Sequence, residues 1–199
     1  RETGIGSHVD ISQREMTTHF VGEALMETVI TGEAPTPIGN RHRLHAPQGA
    51  YQCAGDDRWL SLTVDDDAGW AALCTLIDDP DLADRHPSVE ARHEHHDEID
   101  VAITAWAATQ ELQPAVDALR DAGVKAGPVM NASDLYADPH LEARDYFEPI
   151  DDYEAGTNRY ITRPYRISGV SLDSESPTPL FGPHNAELLE ELLGLDSDE

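Results

Sequence analysis

The chain has 199 residues, 39% of them apolar, with 39 acidic side chains against 13 basic ones and a formal charge of −26. A surface that negative repels nucleic acid and anionic membrane, both of which are bound through clustered Lys and Arg. No apolar run approaches the ~20 residues that span a bilayer, so neither nucleic acid nor membrane is expected as a partner.

The length is enough for one or two ordinary cores. A single lysine, Lys125, in so acidic a sequence points to a halophile's cytoplasm, where molar salt shortens the Debye length to about 3 Å and screens self-repulsion. Cys53 and Cys74 lack the spacing of a zinc site or a disulfide framework, as expected of buried thiols in a reducing compartment. The sequence opens at Arg1 with neither an initiator methionine nor an export segment and reads as an internal cut.

In chain order, His8 to Ile11 reads as a short strand, and Ser12-Gln13-Arg14-Glu15 has the capping-box pattern that starts a helix. Met16, Phe20 and Ala24, with Val21, Leu25 and Val29 beside them, hold helical spacing to about Ile30 and give one broad apolar face. Gly32, Pro35, Pro37 and Gly39 then form a linker. Ala50 to Cys53 and Trp59 to Val64 flank Gly55-Asp56-Asp57 as a hairpin.

Helices are expected around Trp70, Leu73, Cys74 and Ile77, around Ile99, Ile103 and Trp106, and from Pro114 through Leu119 to a stop at Gly123. Val124 to Met130 is extended, and Asn131 caps a short helix. Phe147 to Asp152 and Asn158 to Ser168 are strands joined by a turn, and Asn185 to Leu193 is a final amphipathic helix before Gly194.

The string Arg1-Glu2-Thr3-Gly4-Ile5-Gly6, Gly39-Asn40, Tyr51-Gln52-Cys53, Ala122-Gly123-Val124-Lys125-Ala126-Gly127-Pro128-Val129, Asp138-Pro139-His140 and Leu180-Phe181-Gly182-Pro183-His184-Asn185 resembles the C-terminal half of a family III CoA-transferase of the CaiB/BaiF type. The formyl-CoA and carnitine CoA-transferases are of that type. The resemblance implies an α/β fold: residues 1–38 as the end of a large Rossmann-like domain, 39–130 as a small, mainly helical α+β domain with its opening hairpin, and 131–199 as a return segment packing on the large domain. That fold is incomplete without the N-terminal half.

The resemblance further implies transfer of CoA between carboxylic acids through an aspartyl-CoA intermediate. The substrates would be acyl-CoA and a carboxylic acid, with coenzyme A thioester as substrate and no tightly bound cofactor, and the full-length form an interlocked homodimer. Because the family's nucleophilic aspartate precedes the segment matching Arg1 to Gly6, it is expected upstream and not in this chain, and the fragment alone is expected to be inactive. Two alternatives stand beside this: a non-catalytic subunit or remnant pairing with an N-terminal polypeptide, and an α-methylacyl-CoA racemase-like isomerase. The acyl donor and acceptor are not written in these residues.

The segment matching the family's mobile, often glycine-rich loop is here Asn40-Arg41-His42-Arg43-Leu44-His45-Ala46-Pro47-Gln48-Gly49. Asn40, Arg41, His42, Arg43, His45 and Gln48 are the candidate substrate-binding or active-site loop residues. Arg41 and Arg43 are cations that could meet a carboxylate or phosphate, or else pair on the surface with neighbouring acids. The run Arg92-His93-Glu94-His95-His96-Asp97-Glu98 offers no identifiable third metal ligand, and a solvated helix face is expected there. No Gly-x-Ser-x-Gly, phosphate loop or dinucleotide fingerprint occurs.

Overall fold

The computed structural model describes residues 4–6, 8–170 and 177–195, so the expectations placed on Arg1 to Thr3 and on the last residues of the 131–199 segment lie outside the described residues. The chain forms two compact units, residues 1–128 and 129–199.

In the first unit, residues 8–11 form no strand; helix α1 (Gln13–Thr18) follows, with the Ser12 hydroxyl accepting the Glu15 N–H at 3.3 Å. The single helix expected from Met16 to Ile30 is interrupted by a 3-10 turn at His19–Val21 before α2 (Gly22–Thr31). Just ahead of that turn the Thr17 and Thr18 hydroxyls donate back to the Gln13 and Arg14 carbonyls, a local pairing that bends helices. Gly32, at φ 78°, ends α2 in the left-handed conformation that glycine adopts without a Cβ penalty.

Strand β1 (Gln48–Gln52) pairs antiparallel with β2 (Trp59–Thr63), Gln48 opposite Thr63 and Gln52 opposite Trp59, and β3 (Lys125–Val129) lies on the far side of β2. Alternation along β2 sends Leu60 and Leu62 into the core and Ser61 outward. Five helices follow the hairpin: α3 (Asp67–Leu76), α4 (Asp81–Arg85), α5 (Val89–Glu94), α6 (His96–Ala107) and α7 (Leu112–Asp121). The Asp66 carboxylate caps α3 by accepting the Gly69 N–H at 2.7 Å, and Ser88 caps α5.

Trp70, Leu73 and Cys74 of α3, Leu82 of α4, Ile99 and Ile103 of α6 and Val116 and Leu119 of α7 close on the sheet in one cluster. Each such side chain contributes about 1.5–3 kcal/mol by leaving water. Burial pushes the Cys74 thiol up to about 12, aided by Asp79, and raises Cys53 as well, so both are inert at neutral pH.

The histidine run is a solvated helix face only in part: Glu94, His95, Asp97 and Glu98 are exposed, but Arg92 and His96 are not. It straddles the junction of α5 and α6 at His95, and Arg92 and His96, at helical spacing from Ile99 and Ile103, are buried to 2% and 1% exposure.

The second unit opens with α8 (Ala132–Tyr136), whose N-terminus carries a reciprocal capping box between Asn131 and Asp134, and α9 (Pro139–Ala143), capped by Asp138. Strands β4 (Phe147–Asp152) and β5 (Gly156–Ile161) pair antiparallel around a turn in which Asp152 accepts the Glu154 and Ala155 N–H groups. The second strand stops at Ile161 rather than running to Ser168, shortly before Pro164, which has no N–H for a ladder. The final helical segment, Ala186–Leu192, is wound as a π-helix.

Candidate functional site

The loop between α2 and β1 meets the first turns of α6, and their junction encloses a cleft of about 330 Å³ lined by residues 38–41, 48–51, Asp100 and Thr104. Arg41 pairs with Asp97 and Asp100, the latter at 2.8 Å, and both contacts use its Nη2 nitrogen. These hydrogen bonds raise the guanidinium's pKa, and the bond from Arg41 lowers that of Asp97. The Tyr51 hydroxyl donates to Asp100 Oδ1 at 2.7 Å. Burial, then the bond to Asp100, hold this phenol well above its ordinary range, so it stays protonated.

Asp100 thus gathers β1, the loop and α6 on one carboxylate. One helical turn before it, His96 presents Nε2 to the Gln48 N–H at 3.3 Å, with Asp100 Oδ1 3.6 Å away. An acceptor at Nε2 means a neutral ring with its proton on Nδ1, and burial depresses the pKa in that same direction against the pull of Asp100. Gln48 completes the frame: its amide nitrogen donates to the Asn40 carbonyl at 3.0 Å and its oxygen accepts from the Thr63 hydroxyl at 3.1 Å.

Gly49 is required beside this frame, because a Cβ there would lie 2.7 Å from the Tyr51 hydroxyl oxygen and 2.8 Å from its Cζ. The far end of the loop is pinned by buried Arg92, which donates from Nε to the Ala46 carbonyl at 2.8 Å and reaches Asp67 at 3.1 Å, over the Trp70 ring.

Of the six loop residues singled out in the sequence, Asn40, Arg41 and Gln48 line the cleft. His42, Arg43 and His45 are not among its lining residues: Arg43 pairs with Glu27 of α2, and the two histidine rings stack 4.6 Å apart. Asp100, Tyr51, His96 and Arg92 were not among the site residues singled out in the sequence. His96 and Asp100 do stand at i and i+4, the spacing of two side chains on one helix face, but nothing local ties them to residues 41, 48 and 51.

The lining holds one cation, Arg41, which already carries two carboxylates, Asp100 of the lining and Asp97 beside it, so an incoming anion must compete with an aspartate for it. Among the described residues no three His, Cys, Asp or Glu side chains converge as a metal-binding group, and no helix is long and apolar enough to cross a membrane.

The family model for CoA-transferase family III matches residues 1–185. The chain belongs to CoA-transferase family III. Its relatives include a probable CoA-transferase of Mycobacterium tuberculosis, 30% identical over 202 residues that cover 99% of this chain and 25% of that protein. Another is the succinyl-CoA:mesaconate CoA-transferase of Haloarcula hispanica, 28% identical over 192 residues, covering 95% of this chain and 47% of that protein. The fold matches the crystal structure of a CaiB/BaiF family protein from Brucella suis with a TM-score of 0.84 at 23% identity, over 96% of this chain and 49% of that one. The chain therefore spans about half the length of most curated family III relatives it matches, and a quarter of the M. tuberculosis protein.

Proposed function

We propose that this chain is the C-terminal part of an enzyme that moves CoA between carboxylic acids, with the nucleophilic aspartate supplied upstream of Arg1. In the step proposed, that carboxylate attacks an acyl-CoA thioester to give a mixed anhydride and CoA thiolate. The thiolate then attacks the aspartyl carbonyl, forming aspartyl-CoA and releasing the first acid, and the reverse sequence loads the second acid. A carboxylate nucleophile splits one hard transfer into easier ones, and it needs shielding from water. Residues 39–48 form one wall of that shield, with Asn40, Arg41 and Gln48 toward the substrate and His42, Arg43 and His45 bracing the loop.

Residues 1–38 belong in this reading to the large domain, 39–130 to the small one and 131–199 to a return segment. The working form is an interlocked homodimer in a salt-rich cytoplasm. The observation that carries the proposal is the family match over residues 1–185. The relatives named above bear CoA-transferase names, which favours acyl transfer over racemisation.

The test is an exchange assay on the longest reading frame containing this chain, with succinyl-CoA as donor and labelled carboxylic acids as acceptors. Label entering the CoA thioester pool, and its abolition when the upstream aspartate is replaced by alanine, is the expected result. Loss of α-deuterium from a branched acyl-CoA without acyl exchange would point to an isomerase. Translation beginning near Arg1 would point to a subunit that borrows its nucleophile from another polypeptide.

A further inference from the structure

Arg41 already displays what its guanidinium takes: two carboxylates. They are not equivalent. Asp100 is held by the Tyr51 hydroxyl and sits beside buried His96, with its side chain 31% exposed, whereas Asp97 is 93% exposed and is held by Arg41 alone among the described residues. Both aspartates occupy Nη2, and the Nε and Nη1 donors of Arg41 have no hydrogen-bond partner among the described residues. Both two-donor faces of a guanidinium, Nε with Nη2 and Nη1 with Nη2, share the nitrogen that the aspartates hold. A planar two-oxygen acceptor can therefore dock here by taking one aspartate's place at Nη2 and adding an unused Nε or Nη1 donor.

We propose that Arg41 is a carboxylate-exchange site: the free carboxylate of an organic acid entering the cleft docks on its guanidinium and displaces Asp97, while Asp100 keeps the side chain in place. The exchange trades one carboxylate for another, so the number paired with the guanidinium is unchanged while Asp97, tethered on α6, turns to solvent. Releasing Asp97 costs little because an exposed ion pair is weak and salt-screened. The same competition sets selectivity, since a neutral acyl group has nothing to offer Arg41 in return for Asp97. This inference rests on the cleft being the acid-substrate side of the proposed transferase, and it names the group that receives the acid.

The experiment is ligand-observed NMR titration of the protein with succinate, at ionic strength held constant with sodium chloride and with no CoA present. Binding is therefore read independently of whether CoA transfer is ever detected. Wild type should bind weakly and saturably. Asp97→Asn, which removes the competitor at an exposed position, should tighten the dissociation constant about fivefold, close to 1 kcal/mol at 1.4 kcal/mol per decade.

Arg41→Gln should weaken binding at least tenfold, and its circular dichroism spectrum checks that the fold persists. Succinamide, which lacks the charge, should not bind either protein. An unchanged constant in Asp97→Asn, retained binding in Arg41→Gln, or no saturable succinate binding to wild type and Asp97→Asn alike would overturn the inference. If labelled acid enters the CoA pool while these constants stay flat, the transferase reading stands and only the exchange at Arg41 falls.

Discussion

Residues 46–124 and the segments flanking them are built on different terms. Every fully buried side chain among the described residues lies between Ala46 and Val124, and none lies in 4–45 or 129–195. The flanks are not short of apolar residues: Phe20 and Val29 of α2 and its preceding turn are 84% and 85% exposed, and Phe181 is fully so. Helical periodicity therefore shows which face of a helix is apolar without showing what covers it. The middle segment satisfies its own pattern, and the flanks carry apolar side chains that the described residues of their own unit leave exposed.

The sharpest way to break that contrast is a pair of truncations read by urea unfolding of this chain. Leu60→Ala should cost about 2–5 kcal/mol, as a large-to-small change in a close-packed core does, while Phe20→Ala should stay within about 0.5 kcal/mol. Equal costs would mean that the α1–α2 segment is covered after all. Arg92→Ala comes next, at roughly 2 kcal/mol. Most of that belongs to the buried Ala46 carbonyl left without its donor, since Asp67 is largely exposed. A silent Arg92→Ala would show that the loop end is not held from α5.

His96 sharpens the comparison through pH. Its folded pKa lies below the ordinary 6.5 because burial disfavours the charged ring, so between those two values the unfolded chain binds the extra proton. Its contribution is complete above about pH 6.5 and is lost as pH falls through that value toward the folded pKa. A His96→Gln variant should flatten the unfolding free energy between pH 6.5 and 5. The lowered carboxylates Asp65, Glu90, Asp97 and Asp152 act only at lower pH. An identical slope in both proteins would remove His96 as the titrating group.

The smallest effect is expected in the second unit, where Arg159 lies over the Tyr136 and Phe147 rings and pairs with Glu142. Arg159→Ala should cost about 0.5–1 kcal/mol and appear as faster amide exchange in β4 and β5 with residues 48–126 unaffected.

What could be read in the sequence was whatever is settled within a few residues. The caps at Ser12 and Asn131, the hairpin around Gly55, the stop of α7 at Gly123 and the strand before Met130 all follow from side chains satisfying nearby backbone groups or from alternation of period two. The helix break at His95 carries no glycine or proline to announce it, and α4 is too short for periodicity to register. The candidate loop was found by resemblance, but its partners were not. Tyr51 and Asp100 stand 49 positions apart and Arg41 and Asp100 59 apart, and only the docking of α6 on β1 unites them. Arg92 and His96, polar by type, read as surface, although they stand at helical spacing from the buried Ile99 and Ile103.

Gly49 links two positions that a reader of the sequence would treat as independent. The room occupied by the Tyr51 phenol is the room that any side chain at 49 would take, so a change at position 49 forces the ring at 51 to move or to be given up. With the ring would go the hydroxyl on Asp100 and the fixed side of Arg41. Drift at 49 and 51 is thereby coupled, and a lineage of this protein must carry the two as a single inherited unit or rebuild the wall of the cleft.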